Sequence, residues 1–338
     1  MKTFKISIAL ATYNGAYFIR EQLESFVAQT RLPDELVVCD DCSSDSTLFI
    51  VQQFAYIAPF QVKIIANEYN IGYANNFSKA LSYCTGDIVL PSDQDDVWLP
   101  TKLLQVEEYF QEHTEIHLLI HDILFCKSNL TPIGQTKIER MRRNFDLQKD
   151  YVVGMASAIR GDFLRLCLPI PDIKGLSHDK WLHMCAQTLF VKTIINEVLA
   201  LHRRHGANST TGSPLNVDYV TLPDHFRKLR PGLLKRLSQM KADMTLRKER
   251  SASLLSWLEQ GRDSFLSAGY IDAVQLDIIT FELRKRYMAE VSRNCILNEK
   301  GGKRLGAILK LYRSGGYAYF RGWMSFTSDL IFRYLFRL

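Results

Sequence analysis

Apolar and polar positions change period repeatedly along the first 125 residues. Short apolar runs rich in β-branched residues, at 6–11, 36–39, 62–66, 87–90 and 117–125, predict strands. The intervening stretches 17–28, 45–54, 74–82 and 101–111 carry helical spacing; in the first, Phe18, Leu23, Phe26 and Val27 fall largely on one face. Ser44, Asp45, Ser46 and Thr47 are helix N-cap residue types and mark the start of the second helix. This alternation predicts an α/β fold, a mostly parallel sheet flanked by helices on both faces. Residues 126–150 read as an irregular loop, basic at Arg140, Arg142 and Arg143. Helices are predicted at 162–167 and 178–189, and an extended run at 193–201. Gly, Ser, Thr, Asn and Pro dominate 206–224, and from 226 the pattern is helical, so the chain is predicted to divide into a domain of 1–225 and a C-terminal helical extension of 226–338.

In a parallel sheet, ligands bind beyond the carboxyl ends of the strands. The first strand runs into Thr12-Tyr13-Asn14-Gly15, the second into Asp40-Asp41, and the fourth into Asp93-Gln94-Asp95-Asp96. In extended chain the side chains of Asp93 and Asp95 point to the same side and can reach one hard cation. Mg²⁺ and Mn²⁺ favour such oxygen ligands, and Mg²⁺ commonly takes one or two carboxylates together with substrate phosphates. The same residues also fit a polar turn that leads into the Trp98-Leu99-Pro100 corner.

Four blocks then become specific in combination: Ala11-Thr12-Tyr13-Asn14-Gly15, Cys39-Asp40-Asp41-Cys42-Ser43-Ser44-Asp45, Asn70-Ile71-Gly72, and Ser92-Asp93-Gln94-Asp95-Asp96-Val97-Trp98. Together they resemble glycosyltransferase family 2, inverting enzymes of the GT-A fold. Pro169-Ile170-Pro171, His178-Asp179-Lys180-Trp181 and Arg203-Arg204-His205 with Asn208 are similar to a bacterial rhamnosyltransferase-like branch. The resemblance spans about 3–212. It implies that Ala11, Thr12, Tyr13 and Gly72 line the donor nucleotide, that Asp41 bonds the base edge and that Asp93 contacts the ribose. Asp95 would ligate a divalent metal, Mg²⁺ or Mn²⁺, with His205 as a further ligand, and Asp179 would be the catalytic base. Asp96, Trp181, His178, Arg203 and Arg204 are implied as phosphate or acceptor contacts. His202 stands where the family pattern has Tyr, a departure in that block. The implied reaction moves a sugar, with rhamnose from dTDP-rhamnose foremost, from a nucleotide-diphospho-sugar donor to a saccharide or polyprenyl-linked saccharide in surface polysaccharide synthesis. The rivals are a UDP-hexose-using enzyme of the same fold and a non-catalytic carbohydrate-binding protein.

Inverting transfer needs stabilisation of the leaving diphosphate and one base for the acceptor hydroxyl. Asp179, between His178 and Trp181, has an apolar lining expected to raise its pKa, although it also sits where a helix cap would. Arg203 and Arg204 suit bidentate contacts to phosphate, or simply a solvated basic stretch. Trp181 fits a sugar platform or a core position equally.

The composition, 47% hydrophobic and 23% charged, is that of a globular protein. Of the net charge of +6, all resides in 301–338, with seven basic groups and one acidic group, which argues against a nucleic-acid-binding surface on the first domain. Mixed with aromatics, that charge predicts either a helix lying in a membrane interface over 303–338 or a packed terminal helix with Arg outward. The seven scattered cysteines predict free thiols in a reducing compartment. No apolar stretch has the length of a spanning helix, and the start does not read as a signal peptide, so the expected location is cytoplasmic, peripheral on the inner membrane face.

Overall fold

The computed structural model describes residues 3–142, 145–204, 233–296, 299, 301–320 and 322–330. The chain forms two compact units, one of 1–172 with 176–211, the other of 173–175 with 212–338.

In the first unit the strands are β1 (Ile6–Thr12), β2 (Glu35–Asp40), β3 (Gln61–Ala66), β4 (Ile88–Ser92), β5 (Val97–Trp98), β6 (Leu118–Cys126), β7 (Pro132–Thr136), β8 (Ser157–Arg160) and β9 (Lys192–Arg203). The helices among them are α1 (Ile19–Val27), α2 (Thr47–Ile57), α3 (Tyr73–Ser82), α4 (Lys102–Glu112), α5 (Lys137–Met141), α6 (Leu147–Asp150), α7 (Gly161–Cys167) and α8 (His178–Thr188). One mixed sheet runs β3-β2-β1-β4-β8-β6-β9-β5, with β7 paired to β6. Its first four strands are parallel, as is the β6–β9 pair, whereas β8, β7 and β5 join antiparallel. Continuous apolar runs become central strands because both faces are covered: every residue of β2 and β4 is buried. Pro91, which lacks a donor, is tolerated in β4 because the β8 pairing reaches only Ile88 and Val89. In α1, Ile19, Leu23 and Phe26 are buried at i, i+4 and i+7, and Phe26 meets Trp98 edge-on at 4.9 Å. The stretch 126–150, expected as loop, instead carries β7, α5 and α6. Thr136 closes a capping box with Glu139 at the start of α5.

The parallel strands set the site. Thr12 lies opposite Asp40 in β2, and Leu10 lies opposite Ser92 in β4, so three polar chain turns leave the sheet at one edge. From the far side β9 runs alongside β6 and ends against β5, with Val97 opposite Leu201. That antiparallel pairing brings Asp96 against His202 and Arg203.

The second unit holds α9 (Leu233–Gln260), α10 (Arg262–Ser267), α11 (Ala273–Ile296), α12 (Gly301–Arg313) and α13 (Trp323–Ser328). Ile296, Ile308, Leu311, Tyr317 and Phe326 make its core. Arg293 donates to both Asp329 oxygens at 2.9 and 3.2 Å, and Tyr317 Oη donates to Asp329 Oδ2 at 2.9 Å. Removing one partner of such a buried pair costs about 3–5 kcal/mol. Tyr317, Phe326 and Arg304, expected among the lipid-facing groups of the tail, are buried within this unit. Residues 331–338 lie outside the described residues. No described helix is long and apolar enough to cross a membrane.

Candidate active site

The loops after β1 and β2 are locked to each other by side chains. Thr12 Oγ1 donates to Asp40 Oδ1 at 2.7 Å, and Ser43 donates to the same carboxylate through Oγ (2.6 Å) and N (2.9 Å). Asn14, at φ 46°, accepts from Ser44 N at 2.8 Å, while its own N donates to Ser43 Oγ at 2.9 Å. Thr12 thus points into the scaffold, whereas Tyr13 is half exposed over the edge. Ala11 is half-buried beside them.

Gln94 joins this platform to the acidic loop. Its Nε2 donates to Tyr13 O, and its Oε1 accepts from Tyr13 N, each at 2.9 Å. The bridge needs a glycine beneath it, since a Cβ on Gly15 would stand 2.1 Å from Gln94 Oε1.

Asp41 is buried and accepts from Ile71 N (2.8 Å), Asn67 Nδ2 (3.0 Å) and Gly72 N (2.9 Å). The carboxylate expected at the base edge therefore also builds the 70–72 turn. Gly72 holds φ +84°, a conformation that L side chains rarely adopt.

Asp93, Asp95 and Asp96 crowd at the end of β4. Burial, then the neighbouring Asp96 and Asp95, push the Asp93 carboxyl well above the usual carboxylate range. Asp96 Oδ1 pairs with His202 Nδ1 at 3.0 Å and accepts from Arg203 N at 3.0 Å. Burial alone would lower the His202 pKa, but Asp96, Asp93 and Asp95 hold it above its ordinary value. Lys102, fully buried, donates to Met155 O at 2.7 Å and stands 3.6 Å over the Trp98 ring. Its burial lowers the ammonium pKa, opposed by Asp96 and Asp93. Gln94, Lys102 and the His202–Asp96 pair were not singled out in the sequence. Only the strand-end position of Gln94 and the departure at His202 marked them.

Several expected contacts are scaffold instead. Trp181 is buried, with Nε1 donating to Cys167 O at 2.8 Å, because α8 turns it towards α7. His178 is buried and stacked on Phe77 at 3.9 Å. Asp96 is buried beneath the loop. Arg203 is buried, with Nε donating to Asp95 O at 2.8 Å, its other nitrogens on Ser128 O and Glu21, and its guanidinium 4.7 Å over Phe18. It clamps the Asp95 backbone. Arg204 is half-buried, its N donating to Cys126 O at 2.8 Å. His205 lies outside the described residues.

Asp179, half-buried in the first turn of α8, accepts from Ser177 Oγ and, at 2.8 Å, from Lys180 N. Burial would raise its pKa, as expected from the sequence, but His178, the Ser177 hydrogen bond, His183 and Lys180 N outweigh it and hold the carboxyl below its usual range. Asp179 is close enough to raise the Asp93 pKa and that of Tyr73. Lys137, at the start of α5, senses Asp179 too; burial first, against that attraction, lowers its pKa to about 8. Asp179 thus lies within electrostatic reach of Asp93 at the end of β4.

The donor set there fits a hard divalent cation. Crowded carboxylates raise one another's pKa, and a cation relieves that repulsion. Among the described residues no three His, Cys, Asp or Glu side chains converge to enclose an ion.

Residues 7–163 match the model of glycosyl transferase family 2. Over those residues the chain is similar to family 2 glycosyltransferases. An uncharacterised glycosyltransferase of Nostoc sp. is 29% identical over 61% of this chain and 66% of its own length. The Escherichia coli UDP-Glc:α-D-GlcNAc-diphosphoundecaprenol β-1,3-glucosyltransferase WfgD is 37% identical over 30% of this chain and 40% of its own. The chain therefore matches less than two thirds of the length of either relative. Staphylococcus aureus TarS 1–349, solved with UDP-GlcNAc, superposes with a TM-score of 0.51 at 20% identity, covering 86% of this chain and 82% of that one. The fold is the GT-A type, with helices following it towards the C-terminus.

Proposed function

We propose that this chain is an inverting, metal-dependent glycosyltransferase of family 2. It would move a sugar from a nucleotide-diphospho-sugar to a hydroxyl of a saccharide or lipid-linked saccharide in bacterial surface polysaccharide synthesis. The observation that supports this reading is the placement of Asp93 and Asp95 at the end of β4, beside the carboxyl ends of β1 and β2, with Asp179 near enough to raise the Asp93 pKa. Ala11, Tyr13 and Gly72 line the nucleotide, with Asp41 at the base edge and Asp93 at the ribose. Asp95, with His205, would hold Mg²⁺ or Mn²⁺, and donor phosphates would complete its shell. Bound there, the cation supplies charge stabilisation to the departing diphosphate. Arg203 fixes the Asp95 backbone from beneath, and Gln94 keeps the nucleotide platform in register with the acidic loop. Asp179, ionised at neutral pH because its pKa is held low, takes the proton of the acceptor hydroxyl as that oxygen attacks the anomeric carbon. One base suffices, since attack inverts the centre directly.

For the donor, the sequence blocks favour dTDP-rhamnose, whereas the name of WfgD favours a UDP-hexose. All seven cysteines are free thiols, which fits a cytoplasmic setting. Asp95→Ala should abolish transfer and Mn²⁺-dependent binding of nucleoside diphosphate, measured by isothermal titration, while circular dichroism stays unchanged. Undiminished metal-dependent binding in that variant would remove Asp95 from the site.

A further inference from the structure

Helix α12 is apolar around more of its circumference than its packing uses. Ile308 and Leu311 face the core of the second unit, as does Arg304, whose Nε donates to Glu299 O at 2.6 Å. Docking by that stripe leaves the opposite side to solvent, where polar residues are the rule for a surface helix. Leu309 and Tyr312, which flank the buried stripe, are nevertheless exposed, at 37% and 49%. Trp323 and Met324 at the start of α13 extend the same face, exposed at 66% and 64%. The Tyr312 and Trp323 rings lie 6.5 Å apart, and both pack on Phe326, at 4.5 and 5.2 Å, so the patch is anchored to the core and preformed.

The charge around this patch selects its occupant. Lys303, Lys310 and Arg313 are exposed on α12, and Arg304 is buried. Asp329, the one acid in 301–338, is buried and held by Arg293 and Tyr317. Every exposed charge among the described residues of 301–330 is therefore positive. The other exposed apolar stripe of this unit, Val274, Ile278 and Phe281 on α11, is interleaved with Asp277 and Glu282 and lacks that bias. Trp and Tyr with flanking Lys and Arg suit the boundary between headgroups and acyl chains, where apolar burial and attraction to anionic lipid add.

We propose that Leu309, Tyr312, Trp323 and Met324, bordered by Lys303, Lys310 and Arg313, dock the chain peripherally on an anionic lipid surface. The proposal does not rest on glycosyl transfer, and its test reads binding alone. The full chain is co-sedimented with vesicles of phosphatidylglycerol and phosphatidylcholine in equal parts, and with phosphatidylcholine alone, at low and high salt. The expected result is binding to the anionic vesicles that weakens with salt without vanishing, because the apolar part is unscreened. Lys310→Gln with Arg313→Gln should weaken it roughly twenty-five-fold, about fivefold for each charge. Trp323→Ala should weaken it at both salt concentrations. Of the other three tryptophans, Trp98 and Trp181 are buried and Trp257 is half-buried against Phe265, so a vesicle-induced blue shift of tryptophan emission should be largely lost in Trp323→Phe. All three substituted positions are exposed, so unchanged circular dichroism is expected. Absence of binding at low salt would overturn the proposal, as would binding that these variants leave intact. Self-association lost in Trp323→Ala, seen by sedimentation velocity without vesicles, would equally overturn it by assigning the face to a second copy of the chain.

Discussion

Single residues in this protein divide between those that meet a ligand and those that hold them still, and burial decides which. Trp181, His178, Arg203 and Asp96 have the side chains of a sugar and phosphate site, yet each is enclosed in the fold; Trp181 and Arg203 are hydrogen-bonded there, whereas the His178 ring nitrogens and Asp96 Oδ2 have no hydrogen-bond partner among the described residues. Nothing in the sequence distinguishes an Arg that faces a phosphate from one that faces a backbone carbonyl. The direction is set by β9 ending against β5. Residue chemistry also shapes acid stability. Burial, opposed by Asp162, lowers the His117 pKa from 6.5 to about 4. Between those values the unfolded chain carries a proton that the folded chain refuses, so stability falls as pH drops through that window, by up to ~3 kcal/mol for this group. Thermal denaturation from neutral pH to pH 4 should therefore show a shallower loss in His117→Gln than in the parent. Parallel curves would mean that His117 protonates freely in the folded protein.

Among elements, the legible ones were long and buried. Strands β1, β2, β4 and β6 and helices α1 to α4 follow from apolar runs and helical spacing, because a strand covered on both faces and an amphipathic helix each write their burial into the sequence. Short elements left no such record. β5 is two residues long, β8 four, and β7, with Pro132 and Gly134, has a composition that propensity assigns to loops. These antiparallel additions carry the second half of the site, so the pairing of Asp96 with His202 could not be read in advance. The Tyr13–Gln94 bridge is a local case of the same limit. Its loss should loosen the nucleotide platform without unfolding the domain. Gln94→Ala should raise the dissociation constant of the nucleotide donor about tenfold, the scale of one or two hydrogen bonds. Gly15→Ala should do the same, because its methyl would expel the Gln94 amide. Calorimetry of the double variant should show no further loss; additive effects would mean that the two positions act separately.

At the scale of the molecule, a GT-A unit and a helical unit share one chain, and the chemistry proposed here needs only the first. The acidic loop after β4 and Asp179 on α8 are separated by more than eighty residues in sequence, yet Asp179 is near enough to raise the Asp93 pKa. The account stands most directly on Asp179 as the base of a glycosyl transfer. Asp179→Asn keeps its size and an oxygen that accepts from Ser177 and Lys180, but removes the proton acceptor. Release of nucleoside diphosphate on transfer to acceptor should be followed at saturating substrates, with donor affinity measured in parallel by calorimetry. The account predicts donor affinity within a few-fold of the parent and turnover lower by about 10² or more. Turnover within a few-fold of the parent would contradict it and leave Asp179 as a residue of the α8 first turn alone.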